Sequence, residues 1–484
     1  MESRGTKFTA ENIRKIFGAY DGEGENITRL SQYYLKTDIY ESVKANLPVR
    51  ILVGSKGVGK SALFRMSLKE GVEQGRLCIL IKPDDIAEIG EKHESLMISI
   101  RKWKHGLTII IVRKILEQLG LFEDESTVIN PIKFGGKILP LLEDSITKLE
   151  KSGQEANEKR TNIKKVCTEL PIEVYLDDLD RGWQNRKEGL IMISALINSI
   201  RDMSTLNEGL IFKLALRTDV YNAVRTEDES SDKFEGLVIN YRYKLHAIYV
   251  LLIKRILTFK NEQFDETELL RLPQKETAHY LNGVFDEIFH GKGVWENKPM
   301  HNVLFSLIRN RPRDLVKLCS MAATEAYRNN SDLICSRHIE SILPEYSKSI
   351  INDTIAEYKS ELPTIDRLIY GMKPNKQSKT FSESFYYTTI ELKDKLFKLS
   401  QQGEFRFASN RAGKPQDLIS FLFKIGFLTA TKQLEGGTVQ RFSYEESSHL
   451  SSSYMDYGFN WEVHMGYRWA IQPETLDDIW AKIN

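Results

Sequence analysis

The fold of this chain is decided by the stretch Gly54-Ser55-Lys56-Gly57-Val58-Gly59-Lys60-Ser61, which has the G-x-x-x-x-G-K-[ST] spacing of a phosphate-binding loop. Glycines let successive backbone N–H groups turn towards phosphate oxygens, Lys60 reaches the β and γ phosphates, and the Ser61 hydroxyl can bind Mg²⁺. An apolar run at 49–53 precedes the loop, and a helix-forming run at 62–66 follows it. The pattern therefore predicts a nucleoside triphosphate bound at a helix N-terminus. The expected nucleotide contacts are Gly54, Ser55, Lys56, Gly57, Val58, Gly59, Lys60, Ser61 and Ala62.

Two carboxylates end a second apolar strand, Ile172-Glu173-Val174-Tyr175-Leu176-Asp177-Asp178. In the Walker B role, Asp177 would bind Mg²⁺ and Asp178 would orient or deprotonate the attacking water. Asp178 and Lys60 are therefore predicted catalytic residues. The competing interpretation is an acidic turn that caps the helix expected near 187–200. That alternative suits Asp180, but it explains poorly why two acids follow an apolar strand.

A third strand, 210–216, ends in Arg217-Thr218-Asp219. In additional-strand P-loop ATPases, the strand between the P-loop strand and the Walker B strand carries a polar sensor at this end. Thr218 could serve, but Arg217 occupies the tip itself. Arg217 is predicted either to stabilise charge on the γ-phosphate as a catalytic residue or to form a salt bridge, and both alternatives stay open.

Further strands are expected at 77–82 and, more weakly, at 237–241. Strands that alternate with helices predict an α/β fold with a parallel sheet and right-handed crossovers. Nucleotide would then lie at the carboxyl ends of the strands. The distance along the chain between the second strand and the Walker B strand is too long for one crossover helix, so a helical insertion is expected at about 90–165.

The chain becomes helical after the sheet, with one helix expected over 266–288 and a pair of helices over 336–362. This pattern predicts an all-α lid over 246–372. Within it, the segment Arg311-Pro312-Arg313-Asp314 lies at a helix start, where Pro and Asp are favoured. Arg313 is predicted to contact bound nucleotide and to report the γ-phosphate. The alternative is that the segment only caps the helix and adds surface charge.

The C-terminal region, 380–484, combines helices at 390–401 and 415–424 with a hairpin around 435–437. This order predicts a winged-helix-like α+β module. Such modules bind DNA or dock proteins. The helix at 415–424 is only modestly basic, which favours docking or a structural role. The predicted domains are an N-terminal helical extension (1–48), the ATPase core (49–245), the lid (246–372) and this module (380–484).

Composition describes an ordinary globular protein. The 484 residues are 41% hydrophobic and 28% charged, with a formal net charge of +1, unlike a strongly basic nucleic-acid binder. The length favours two or three domains. Four scattered cysteines lack zinc-ligand spacing and suggest free thiols. No secretory leader or 18-residue apolar stretch is found, so we expect a cytoplasmic protein without membrane contact.

Together these motifs resemble KAP and STAND-type P-loop ATPases of the AAA+-like lineage, over about residues 50 to 320. The resemblance is carried by the loop and by the runs Asp177-Asp178-Leu179-Asp180-Arg181-Gly182-Trp183, Arg217-Thr218-Asp219 and Arg311-Pro312-Arg313-Asp314. A weaker similarity covers the C-terminal segment 463–468. The resemblance implies ATP and Mg²⁺ as ligands, with Lys60 and Ser61 on phosphate and Mg²⁺, Asp177 as the Walker B acid, Asp178 as the catalytic acid and Arg313 as the lid arginine.

Members of this lineage resemble ATP-driven switches or scaffolds, and several relatives act in bacterial antiviral defence. The chain departs from KAP proteins in lacking transmembrane helices within the ATPase domain, and from the usual AAA+ Asp-Glu pair in having Asp178, which is one methylene shorter. Slow hydrolysis is therefore expected. The leading hypothesis is a switch ATPase that forms homo-oligomers and controls a protein effector. The alternatives are a DNA-associated ATPase using the C-terminal domain, and a scaffold that holds nucleotide with little turnover.

Overall fold

The computed structural model describes residues 6–19, 24–87, 89, 95–118, 137–138, 140–142, 144, 171–180, 187–227, 232–291, 295–374, 383–434, 439–447, 450 and 458–472. The chain divides into two compact units, Gly22–Tyr241 and Met1–Asp21 with Arg242–Asn484. The four-domain division expected from the sequence stays a prediction. Most of the expected insertion at 90–165 lies outside the described residues; the described part is a helix at 96–118, the residue before it and a few residues between 137 and 144.

The helices are, in chain order, α1 Ala10–Phe17, α2 Ile27–Tyr33, α3 Asp38–Lys44, α4 Lys60–Glu73, α5 Leu96–Gln118, α6 Lys187–Leu206, α7 Thr218–Glu227, α8 Asp232–Glu235, α9 Leu245–Lys260, α10 Glu266–Arg271, α11 Gln274–Thr277, α12 Met300–Leu307, α13 Pro312–Arg328, α14 Ser336–Tyr358, α15 Ile365–Gly371, α16 Thr389–Gln401 and α17 Pro415–Lys424. Short 3₁₀ helices occupy Pro83–Ile86, Ala278–Leu281, Glu383–Phe385 and Met465–Ala470. Within the described part of the chain, no helix has the length and apolar character needed to cross a membrane.

The unit Gly22–Tyr241 is built on a parallel sheet. Its strands are β1 Val49–Gly54, β2 Leu77–Ile81, β3 Ile172–Leu176, β4 Leu210–Arg217 and β5 Val238–Asn240. Their spatial order is β2-β3-β4-β1-β5, and every pairing is parallel. The strand β4 thus lies between the P-loop strand β1 and the acidic strand β3, which confirms the additional-strand α/β fold.

Burial explains why these strands read as continuous apolar runs. All five residues of β3 and seven of the eight in β4 are buried, because helices cover both faces of a parallel sheet. On α5, Leu107, Ile111, Val112 and Ile115 recur at helical spacing and are fully buried in the same core. This packing holds the carboxyl ends of the strands at one edge.

The second unit contains the helices from α9 to α15, and two expectations about them were wrong. The sequence suggested one helix over 266–288, but α10 and α11 are separated at Pro273, which cannot continue a helix from the residue before it. The sequence also suggested a helix pair over 336–362, but α14 is one helix with Pro344 inside it. Buried apolar side chains on both sides of Pro344 stabilise the continuous helix.

A C-terminal antiparallel sheet follows in the same unit. Its strands are β6 Tyr386–Tyr387, β7 Leu428–Gln433, β8 Val439–Phe442 and β9 Asn460–Val463, in the order β6-β9-β7-β8. With α16 and α17 they form the expected α+β module. The turn predicted at 435–437 lies outside the described residues. The helix α17 begins and ends as predicted, and each of its side chains is buried or half-buried.

Candidate nucleotide-binding site

The loop between β1 and α4 has the backbone that a phosphate-binding loop requires. Gly57 and Gly59 have φ angles of +81° and +102°, a region that L side chains rarely adopt. A Cβ on Gly54 would lie 2.9 Å from Val58 Cγ1 and 3.0 Å from the carbonyl oxygen of Tyr241. These glycines are therefore required by close approach and by backbone conformation.

Lys60 and Ser61 are the first two residues of α4, so both lie at a helix N-terminus. Lys60 Nζ donates to the Gly54 carbonyl at 2.8 Å and lies 3.4 Å from the Ser55 carbonyl oxygen. The Lys60 ammonium therefore lies across the loop and is bonded to the carbonyl oxygens of its first two residues. This placement suits a cation that contacts phosphate.

The acids Asp177 and Asp178 follow β3 directly. Asp177 is 6% exposed, and its backbone N–H donates to Ile81 on the neighbouring strand at 3.1 Å. Asp178 has a φ of +60°, a left-handed conformation that is uncommon outside glycine, although Asp tolerates it better than most residues. Residues in such rarely populated backbone conformations cluster at functional sites.

Asp180 is a third acid at this edge, which the sequence had suggested only as a capping residue. It is 5% exposed, and its Oδ2 accepts the backbone N–H of Arg217 at 2.6 Å. Burial raises the pKa of Asp180, and the positive charge of Lys60 opposes that shift. Its spacing three residues after Asp177 was the available signal. The following residues Arg181, Gly182 and Trp183 lie outside the described part of the chain.

Arg217 is the last residue of β4, and Gly54 is its partner in the register with β1. Its side chain makes a two-point salt bridge to Asp219, with Nε–Oδ1 at 3.0 Å and a terminal nitrogen to Oδ2 at 2.7 Å. The salt bridge was one of the two roles expected for Arg217. A catalytic contribution stays a prediction.

The predicted lid residue Arg313 is the second residue of α13, in the other compact unit. Asp314, expected only to favour the first helical turn, is buried and paired with Arg309, while Arg311 is buried and pairs with Glu357 at 2.8 Å. Sequence reasoning missed these pairs, because their burial cannot be read from the segment. The nucleotide contact of Arg313 stays a prediction.

The predicted metal ligands, Ser61 and Asp177, are a hydroxyl and a carboxylate, which is the oxygen chemistry that Mg²⁺ prefers. A P-loop site needs few protein ligands, because phosphate and water oxygens complete the coordination. Among the described residues, no group of three or more His, Cys, Asp and Glu side chains could hold a metal ion. The donor set at the loop therefore fits Mg²⁺ bound together with a nucleotide.

No model of a protein family matches this chain. Over 459 residues it is 22% identical to the "Putative transposon gamma-delta 80.3 kDa protein" of Escherichia coli (strain K12), a match that covers 87% of this chain. The chain spans 60% of the length of that relative.

Several solved structures are similar at low identity. The Walker-type ATPase PABY2304 of Pyrococcus abyssi is 15% identical, with a TM-score of 0.39 and coverage of 90% of this chain and 97% of that one. The ORC2 protein of Aeropyrum pernix, in ADPNP–ADP complexes, is 13% identical, with a TM-score of 0.34 and coverage of 89% and 93%. RuvB of Thermotoga maritima is 11% identical, with a TM-score of 0.31 and coverage of 93% and 98%. By its own sheet order and loop geometry, this chain has the fold of a P-loop NTPase.

Proposed function

We propose that this protein binds and hydrolyses ATP with Mg²⁺ and uses its nucleotide state as a molecular switch. The proposal rests on the groups that lie together at the carboxyl edge of the parallel sheet. The loop 54–61 follows β1, Asp177 and Asp178 follow β3, and Arg217 ends β4 between them. Parallel strands present all these groups at their carboxyl ends, where nucleotides bind in such sheets.

The roles of the residues follow from their chemistry. The loop N–H groups and Lys60 would hold the β and γ phosphates, and Ser61 and Asp177 would hold Mg²⁺. Bound Mg²⁺ would neutralise charge on the phosphate oxygens. Asp178 would orient the attacking water or accept its proton. Because its carboxylate is one methylene shorter than the usual glutamate, we infer slow turnover.

Contacts inside the second unit support a switch. Arg309 donates to the Tyr467 hydroxyl at 3.2 Å and to Thr354 Oγ1 at 2.7 Å. Ala470 N–H donates to Ser347 Oγ at 3.0 Å. These bonds join the 3₁₀ helix that follows the C-terminal sheet to α14 and to Arg309, which precedes Arg313 by four residues. A displacement of Arg313 caused by the γ-phosphate would therefore move the C-terminal module with it.

The consequences of such a switch are also proposals. ATP would promote homo-oligomerisation and release or recruit a protein effector through the C-terminal module. The side chains of α17 are buried or half-buried, which counts against groove reading by this helix, since a recognition helix needs exposed side chains. A role in bacterial antiviral defence is supported only by the resemblance to KAP and STAND ATPases.

The test is phosphate release by the purified chain of 484 residues. We expect Mg²⁺-dependent hydrolysis in the wild type that is abolished in Lys60→Ala and in Asp178→Ala. The matched control is Lys69→Ala, since Lys69 lies on the same helix but forms an ion pair with Glu73. Light scattering with and without ATP measures oligomerisation in the same samples. Hydrolysis that survives Lys60→Ala, or a wild type that binds no ATP, would refute the proposal.

A DNA-associated ATPase is the second candidate. Three exposed lysines of the C-terminal module, Lys393, Lys414 and Lys432, could contact phosphates, and the Escherichia coli relative is named for a transposon. This version predicts duplex binding that weakens steeply with salt. Changing the three lysines to glutamine should then reduce both the affinity and its salt dependence. Unchanged affinity in that variant would exclude this surface.

A further inference from the structure

A group of polar side chains is enclosed between α4 and the sheet, away from the nucleotide loop. We call Ser67, Arg76, Glu173, Tyr175 and Lys213 the Glu173 cluster. Four of its members are at most 1% exposed, and only Arg76 reaches the surface. Ionisable groups in such a place cost free energy unless they are paired and hydrogen bonded. The cluster therefore calls for an explanation that core packing does not supply.

The Glu173 carboxylate is the centre of the cluster. It accepts hydrogen bonds from Lys213 Nζ at 2.6 Å, from the Tyr175 hydroxyl at 2.5 Å and from an Arg76 nitrogen at 2.6 Å. Lys213 Nζ also donates to the Tyr175 hydroxyl oxygen at 3.1 Å. Ser67 Oγ lies 2.8 Å from the same oxygen. Each member is thus bonded to another through strong and partly charge-assisted hydrogen bonds.

The charges of the cluster follow from these contacts. Burial by itself raises the pKa of Glu173, but the Lys213 charge and the surrounding hydrogen bonds hold that pKa below its usual value. Burial lowers the pKa of Lys213, and Glu173 opposes the shift. The neighbouring Cys78 thiol has a pKa raised to about 12 by burial and by Glu173, so it stays neutral. The result is one anion shared by two cations.

The members lie on the same elements as the site residues. Ser67 follows the P-loop lysine on α4 by two helical turns, or about 10 Å. Tyr175 precedes Asp177 by two strand residues, or about 7 Å. Lys213 precedes the tip of β4 by four residues, or about 13 Å. One buried network therefore connects the helix and the two strands that present the site.

We propose that the Glu173 cluster positions the ATPase site by fixing α4 in register with β3 and β4. This inference rests on the proposed function and assigns positioning roles to Ser67, Tyr175 and Lys213. The phosphate contacts come from one continuous loop, so they do not depend on that register. The two metal ligands do depend on it, because Ser61 lies on α4 and Asp177 follows β3. The cluster should therefore affect Mg²⁺-dependent binding and turnover, while phosphate binding alone is spared.

The experiment compares the wild type with Ser67→Ala and Tyr175→Phe, each of which removes a single oxygen. The affinity for a fluorescent, non-hydrolysable ATP analogue is measured once in EDTA and once in excess Mg²⁺, and kcat for ATP hydrolysis is measured in parallel. All measurements are made at a temperature below the thermal unfolding transition of each variant. We expect the EDTA affinity to stay within about twofold, while kcat falls about tenfold through misplacement of the reacting groups. The gain in affinity on adding Mg²⁺ should be largely lost.

The control is Ser199→Ala, which removes a buried hydroxyl that bonds the Ala195 and Ile100 carbonyls within the same unit. It should lower thermal stability comparably and leave both readouts unchanged. The double variant Ser67→Ala/Tyr175→Phe should cost no more than Tyr175→Phe alone, because the same hydrogen bond is lost. If the wild type hydrolyses ATP and both single variants keep the wild-type kcat and the wild-type increase in affinity on adding Mg²⁺, the positioning role is wrong. The proposed function would still stand in that case. If the wild type binds no ATP, both fail together.

Discussion

Replacing Arg309 by methionine gives the sharpest test of the buried ion pair between Arg309 and Asp314. The Arg309 side chain is 5% exposed and that of Asp314 is 2% exposed. Two hydrogen bonds join them, at 2.7 Å and 3.0 Å. Methionine keeps the length of the side chain and removes its charge. Asp314 would then remain buried without its main partner.

The expected cost follows from what remains around Asp314. Breaking a buried pair by removing one member costs about 3–5 kcal/mol. The Thr354 and Tyr467 hydroxyls, which Arg309 also contacts, lie 3.0 Å apart and keep each other as partners. They therefore add little to the cost. A loss of about 4 kcal/mol corresponds to a fall of about 8–16 °C in the unfolding midpoint for a unit of this size.

The pH dependence of the destabilisation shows whether the unpaired Asp314 carboxylate causes it. Burial by itself raises the pKa of Asp314, but the Arg309 charge and its hydrogen bonds hold that pKa below its usual value. In the wild type this contribution is present above the unfolded pKa and is lost as pH falls through the folded pKa. In Arg309→Met the opposing charge is gone, so burial dominates and the pKa of Asp314 rises. The destabilisation should therefore shrink between pH 7 and pH 5.

Differential scanning calorimetry of the full chain at both pH values measures these effects. Only the transition of the unit that contains Arg309 should move. The control is Arg328→Met, because Arg328 is 71% exposed and its partner lies 3.4 Å away, so its loss should cost less than about 1 kcal/mol. Arg309→Met/Asp314→Leu should recover most of the lost stability. A midpoint shift below about 4 °C, or a shift that does not depend on pH, would refute this reasoning.

Three further outcomes are expected. Asp178→Glu should raise kcat about tenfold in a phosphate-release assay, because the longer side chain restores the usual reach of the acid; an unchanged rate would show that reach is not limiting. Burial raises the pKa of Asp180, so the stability that its protonated form contributes is lost as pH rises above the ordinary carboxyl pKa of about 4 and through the folded pKa; the stability of Asp180→Asn relative to the wild type should therefore increase over that rise in thermal scans, and a difference that does not depend on pH would contradict the expected shift. Gly59→Ala should weaken ATP binding about tenfold by equilibrium titration, because a side chain at a φ of +102° is strained; wild-type affinity would contradict this geometry.

Local patterns in the sequence accounted for most of the fold. The apolar runs that end in Gly54 and Asp177 are strands because a parallel sheet buries both faces. The helix at 415–424 was predicted with both of its ends, since Pro415 marks its first residue and Lys424 is a basic residue in its last turn. The helix expected over 266–288 was wrong because Pro273 interrupts it. In each of these cases, the outcome was decided by residues that are neighbours along the chain.

The sequence by itself determined the P-loop and its acidic strand, because the spacing of glycine, lysine and serine and the end of an apolar run are local properties. Tertiary structure alone decided which polar groups are buried together. Glu173 and Lys213 are 40 residues apart, and Arg309 and Tyr467 are 158 residues apart. No periodicity predicts such pairs, because their pairing depends on desolvation by elements distant in the chain. The residues that hold the predicted site in register therefore became visible only in the folded chain.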